Sequence, residues 1–165
     1  PSRITQLVRH IRASMPEAAL RTTVIVGFPG ETEDDFHELL HFIETVPFDH
    51  LGVFTYSDAE DLASHRLPDH VPPDVAHHRR DILMERQRGI SEALNQKYLG
   101  RRVDVLLEES PETGLFIGRT MFQAPEVDGL TYVRPITPGT PMAVGQFVRT
   151  RIVDTLEYDL VGEPE

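Results

Sequence analysis

Thr22-Thr23-Val24-Ile25-Val26 is a β-branched run that stops at Gly27-Phe28-Pro29-Gly30, with helical periodicity on either side. β-Branched residues suit the pleated backbone, and a short apolar run bounded by glycine and proline reads as a buried strand. Upstream, Ile4, Leu7, Val8 and Ile11 recur at helical spacing until Met15-Pro16, where proline ends the backbone ladder. Downstream, Thr32 is placed to cap a helix whose first turn carries Glu33, Asp34 and Asp35 near its positive end. Phe36, Leu39, Leu40, Ile43 and Val46 supply that helix with an apolar stripe, and Pro47 stops it. Leu51 to Tyr56 is the next strand. The order helix, strand, helix, strand calls for parallel strands joined by a crossover helix. Two strands neither close a barrel nor cover a sheet, so the rest of the sheet is expected outside this chain. Pro1 rather than Met at the start fits an excised piece of something longer.

Residues 57–72 read as a polar loop containing Pro68 and Pro72. A long helix is expected from Pro73 to Leu99, with proline in the first turn, Gly100 as its C-terminal cap, and Val75, Ile82, Leu83, Ile90 and Leu94 as a partial stripe. After Gly100 the period changes. Val103, Val105 and Leu107 alternate with Asp104 and Leu106. Leu115-Phe116-Ile117, Leu130 to Val133, Phe147-Val148 and Ile152-Val153 follow as short strands, punctuated by Gly114, Gly129, Pro138-Gly139 and Gly145. About five strands in so short a stretch predict a small closed β-barrel of the OB kind. The fold class is therefore α/β followed by all-β, divided into residues 1–96 and 97–165.

Charge narrows the partners. The 165 residues hold 16 basic and 27 acidic side chains, a net charge of −11. Residues 97–165 hold 7 and 11, and the first 96 hold 9 and 16, so both parts are acidic. Such a surface repels phosphate backbones and favours a cationic partner such as a basic protein. Direct nucleic-acid binding is not expected. The sequence has no cysteine, which excludes a disulfide framework and thiolate-bound metal within the chain, and is in keeping with a cytoplasmic setting. No apolar run approaches the roughly 18 residues of a membrane span. A monomer is expected.

Three motifs invite a chemical reading. His37-Glu38-Leu39-Leu40-His41 matches the HExxH zinc pattern. At about 100° per residue from Phe36, however, both histidines and Glu38 fall off the apolar stripe, where solvated side chains belong. A zinc hydrolase is thus a weak rival, and His77-His78 are likewise surface residues. Gly27-Phe28-Pro29-Gly30-Glu31 is either a tight strand-to-helix turn or a ligand-binding edge, since ligands in such folds sit at the C-terminal ends of parallel strands. It lacks the Gly-Lys-Ser/Thr ending of a P-loop. Tyr56-Ser57 closes the second strand at the same edge. Gln123 to Gly129 is a turn whose two acids, Glu126 and Asp128, are open to a recognition role, with Asp128-Gly129 as a hairpin signal.

Taken in order, Thr22 to Thr32, Gly52 to Ser57, Leu67 to Pro72, Arg79 to Asn95 (with Leu83-Met84, Gln87, Ile90-Ser91 and Asn95), Gly118-Arg119, Ala124 to Gly129 and Glu157 to Leu160 with Gly162-Glu163 closely resemble the radical-SAM methylthiotransferase family over nearly the whole chain. Leu67-Pro68-Asp69-His70-Val71-Pro72 and Ala124-Pro125-Glu126-Val127-Asp128-Gly129 resemble the branch that methylthiolates the β-carbon of an aspartate in a small-subunit ribosomal protein. Sister branches modify tRNA adenosines. The resemblance implies that residues 1–96 are the end of a radical-SAM barrel and residues 97–165 a TRAM domain. It implies SAM and two 4Fe-4S clusters as cofactors. Their cysteines would lie upstream, so this chain alone is expected to be inactive and to hold no catalytic residue and no metal. It implies that Val26, Gly27, Phe54, Tyr56 and Ser57 flank SAM and that the TRAM part, through Glu126 and Asp128, holds the ribosomal protein. Two positions depart from the family pattern: Ala59-Glu60-Asp61-Leu62 stands where Glu-Glu-Gly-Thr is usual, and Gln123 where an Asp precedes Ala-Pro-Glu. The rivals are the tRNA-modifying branch and a non-catalytic OB-like binding module.

Overall fold

The computed structural model describes residues 2–135 and 141–165, so the turn expected at Pro138-Gly139 lies outside the described residues. The chain divides into two compact units, Pro1–Ile90 and Ser91–Glu165. The sequence-based division at 96/97 lies a few residues further along.

In the first unit, α1 (Ser2–Ser14), β1 (Arg21–Val26), α2 (Glu33–Thr45) and β2 (His50–Thr55) follow in order, and α3 (Pro73–Asn95) begins there. β1 and β2 pair in parallel, from Arg21 opposite His50 to Val26 opposite Thr55. Thr32 caps α2 in a capping box: its hydroxyl accepts the Asp35 amide while the Asp35 side chain accepts the Thr32 amide. Val26, Phe36, Ile43, Leu51 and Leu83 form the core between sheet and helices, each contributing about 1.5–3 kcal/mol on burial. Arg12 ties the strand starts to α1. It donates to Asp49 Oδ2 at 2.8 Å, and the same oxygen accepts the Leu20 amide at 2.7 Å.

Three expectations for this unit need correcting. β1 is not buried throughout: Thr22, Val24 and Val26 face the helices, while Thr23 and Ile25 on the other face are exposed. The sheet has helices on one side only, so alternate residues stay open. Of the expected apolar stripe of α3, Leu83 is buried and Ile82 packs against the same core, but the rest of the buried seam is Ala76, Arg79 and Gln87, continued by Ser91. Arg79 and Gln87 reach specific acceptors there; Gln87 Nε2 donates to the Phe48 carbonyl at 2.9 Å. The helix also ends earlier, at Asn95, with a 3-10 turn over Gln96–Tyr98. Finally, the 57–72 loop contains a 3-10 turn at Ala63–Arg66.

The second unit is a closed barrel of β3 (Arg102–Glu112), β4 (Leu115–Thr120), β5 (Thr131–Val133), β6 (Phe147–Thr155) and β7 (Leu160–Pro164), in the spatial order β3-β4-β5-β7-β6. β3 pairs with β6 to close it, and among the described strands of the barrel β5 and β7 are the pair that runs parallel. Val105, Leu107 and Val133 fill one part of the interior, and Tyr98, Ile152 and Leu160 another. Phe147-Val148 and Ile152-Val153 are not two strands but two parts of β6. The fifth strand is β7, whose Gly162 and Pro164 mask its pattern in sequence. Gly129 lies against the second chain segment so closely that an added Cβ would stand 1.9 Å from the Tyr158 carbonyl oxygen.

Candidate functional site

The C-terminal ends of β1 and β2 lie side by side, joined by the Tyr56 amide donating to the Val26 carbonyl at 2.8 Å. Beyond β1 the chain turns at Gly27, whose φ of 79° suits glycine and whose position leaves no room for a Cβ beside the Ala76 methyl. The Gly27 amide donates to Glu31 Oε2 at 3.0 Å, and Glu31 Oε1 accepts Arg79 Nη1 at 2.5 Å. Arg79 Nη2 reaches Glu33 Oε2 at 2.9 Å, and its guanidinium lies 5.4 Å from the Phe36 ring centre. Burial works against the Arg79 charge, yet the two carboxylates outweigh it and raise its pKa above the ordinary arginine value. The hydrogen bond from Arg79 in turn lowers that of Glu33. The turn between β1 and α2 is thus pinned from α3 by a mostly buried ion pair.

Of the residues the resemblance points to, Val26 is buried and its carbonyl is taken by Tyr56, while the Gly27 amide is taken by Glu31. Phe54 is 62 % exposed and stands opposite Ile25, itself 56 % exposed, on the open face of the sheet. Ile25 was not singled out in sequence, because a continuous apolar run hides which face each residue takes. The Tyr56 ring packs edge-on against Phe28 at 5.2 Å, and Ser57 is exposed just beyond. The edge therefore offers an apolar plate, Ile25 and Phe54, bordered by an aromatic pair and a hydroxyl. Such a plate suits the face of a flat aromatic ring. The chain has no cysteine, so it supplies no thiolate to an iron–sulfur cluster.

The loop after β2 holds a network that the sequence reading missed. Tyr56 donates its hydroxyl to Ser64 Oγ at 2.8 Å and lies 3.1 Å from Asp58 Oδ1. Asp58 Oδ2 is 2.8 Å from His65 Nδ1 and 3.8 Å from His70 Nδ1. The bond from His65, above all, lowers the Asp58 pKa below its ordinary value. The loop is also tied to the β1–α2 turn, through the Gly30 amide and the Asp69 carbonyl at 2.9 Å. Asp58, Ser64, His65 and His70 are unremarkable as a sequence pattern; only folding brings them together. His37 and His41, by contrast, lie on the exposed side of α2, as the helical spacing predicts.

In the barrel unit, Asp128 Oδ2 accepts the Ala124 amide at 2.7 Å, so this acid helps to hold its own turn. Glu126 is exposed, at a φ of 62°, next in sequence to the exposed Val127. Gln123 is buried. Its Oε1 accepts the Thr120 amide, the Thr120 hydroxyl and the Thr131 hydroxyl, at 2.9, 3.1 and 2.8 Å.

The TRAM domain family matches residues 99–164, the OB-like barrel. Beyond the barrel, nearly the whole chain is similar to proteins called ribosomal protein uS12 methylthiotransferase RimO. The one from Clostridioides difficile (strain 630) is 48 % identical over 160 residues, covering 97 % of this chain and 35 % of the relative. That of Synechococcus sp. (strain CC9902) is 49 % identical over 158 residues, 95 % of this chain and 34 % of the relative. That of Microcystis aeruginosa (strain NIES-843 / IAM M-2473) is 50 % identical over 159 residues, 95 % of this chain and 35 % of the relative. Nearly the whole chain is thus similar to one part of these methylthiotransferases. It spans about a third of the length of the curated relatives it matches. The likeness runs through both units, so the β1–β2 edge and the TRAM barrel are parts of one family pattern.

Proposed function

We propose that this chain is the part of a uS12 methylthiotransferase that supplies one wall of the SAM site and the domain that holds the protein substrate. The observation that carries the reading is the match, at about half identity across both units, to relatives named for that activity. The charge of −11 supports a basic protein as the substrate and argues against tRNA. SAM and two 4Fe-4S clusters, the latter held by cysteines elsewhere in the whole protein, supply the radical and sulfur-transfer chemistry when bound. The residues of this chain bind and orient. Ile25 and Phe54 offer the adenine an apolar face. Gly27 keeps the strand end low, and Tyr56 and Ser57 border the ribose. The Glu31–Arg79 pair keeps that edge in place. On the barrel, Glu126, in the same turn as Asp128 and beside the exposed Val127, meets a cationic segment of the ribosomal protein. The enzyme acts in the cytoplasm as a monomer.

Phe54→Ala in the whole, cluster-reconstituted protein tests the SAM wall. Stacking against an aromatic side chain is worth about 1–3 kcal/mol, so SAM affinity should fall about tenfold in equilibrium dialysis while the cluster absorbance is retained. Unchanged affinity would remove this strand face from the site.

A further inference from the structure

On the outside of the barrel, alternate residues of neighbouring strands form one wall. Phe147, Arg149 and Arg151 of β6 point outward while Thr150 and Ile152 are buried. Arg102, Asp104 and Leu106 of β3 point the same way while Val105 and Leu107 are buried. The register sets Leu106 opposite Phe147, Asp104 opposite Arg149 and Arg102 opposite Arg151, and on β7 Glu163 opposite Arg151. Three guanidiniums therefore share a surface with a phenylalanine that is 74 % exposed. Cations beside an exposed aromatic ring on an OB-like barrel are the makings of a single-stranded nucleic-acid platform.

Each of these guanidiniums, however, meets one carboxylate. Arg102 Nε lies 2.7 Å from Glu165, Arg149 Nη1 is 3.1 Å from Asp104 Oδ1, and Arg151 Nη2 is 3.2 Å from Glu163 Oε2. On the neighbouring β4, Arg119 is matched in the same way by Glu108 at 2.7 Å. Exposed ion pairs add little to stability, so one-for-one matching is poorly explained as a stabilising device. Its effect on a polyanion is large by comparison. A phosphate approaching this wall meets three ion pairs with no net charge and at each guanidinium competes with a carboxylate.

We propose that Asp104, Glu163 and Glu165 are specificity determinants, which neutralise a latent arginine wall and so keep nucleic acid off the barrel. Partners can be selected by penalising the wrong one as well as by rewarding the right one. The inference rests on the reading above that the substrate is a protein.

The test compares the whole wild-type protein with Asp104→Asn/Glu163→Gln/Glu165→Gln, using a fluorescein-labelled oligouridylate and fluorescence anisotropy. Asp34→Asn/Glu38→Gln/Asp74→Asn, which removes the same charge from the first unit, is the control. The wall variant should bind the RNA about tenfold or more tightly than wild type at low salt, with a salt dependence steeper by about 2 in log–log slope, as three freed arginines require. The control should bind as wild type does. A wall variant that binds no better than wild type overturns the proposal, and so does a control that gains as much, since net charge alone would then explain the effect. Should the triple variant not fold, Asp104→Asn and Glu163→Gln singly carry the same test with smaller gains. Methylthiolation of uS12 by the wild-type enzyme is read separately, so failure of the functional reading is not confused with failure of this one.

Discussion

Glu31→Ala removes the acceptor of both the Gly27 amide and Arg79 Nη1. The Arg79 side chain is only 7 % exposed, so the variant strands a mostly buried cation. Breaking such a pair from one side costs about 3–5 kcal/mol. Arg79 keeps its second partner, Glu33, at 2.9 Å, which is more exposed and reduces the loss to about 2–3 kcal/mol. The effect is local, because the pair pins one turn. Amide hydrogen exchange of a peptide covering Val26 to Glu33 in the full-length protein is therefore the right assay. At 1.4 kcal/mol per decade, exchange should accelerate about 30- to 150-fold. Glu31→Gln keeps an oxygen for the Gly27 amide and loses the charge, so its acceleration should be smaller, about tenfold. Exchange within about threefold of wild type for Glu31→Ala would refute the idea that this pair holds the strand edge.

Gly129→Ala places a methyl into the Tyr158 carbonyl, which backbone cannot vacate; the thermal midpoint of the barrel should fall by about 10 °C or more, read by calorimetry. Gln123→Ala strips three buried donors of their common acceptor, and should cost about 2–4 kcal/mol in a urea unfolding curve of the barrel transition. Asp58 has a pKa lowered from an ordinary value of 3.8, so its contribution to holding the 57–70 loop is present above that value and is lost as pH falls through the lower folded one. The protection of that loop's amides, taken relative to intrinsic exchange at each pH, should fall on acidification below about pH 4, and Asp58→Asn should flatten the response.

The parts legible in sequence were those fixed by local rules. Thr32 and the acids after it cap α2 because the hydroxyl and carboxylate act within one turn. Helix–strand alternation gave the parallel pairing of β1 and β2, and the period-2 pattern of Val103, Val105 and Leu107 gave β3. What escaped depends on distant partners. β7 is a strand because it lies between β5 and β6, not because Leu160–Pro164 has a strand composition. Arg79 and Gln87 sit in a buried seam because Glu31 and the Phe48 carbonyl meet them there, and hydropathy alone assigns such residues to the surface. Ile25 is open because the sheet carries helices on one face only. At the candidate site, the Val26 carbonyl and the Gly27 amide are engaged within the chain, and the open side chains beside them are Ile25 and Phe54, which a continuous apolar run does not mark out.

The most direct test of the functional reading uses the whole protein, reconstituted anaerobically with iron and sulfide and supplied with SAM and a reductant. Either ribosomal protein uS12 or tRNA is offered as substrate, and the products are read by mass spectrometry. The expected result is a methylthio group gained on an aspartate of the ribosomal protein, with the tRNA unchanged. A methylthio group on a tRNA adenosine, with the protein untouched, would contradict it.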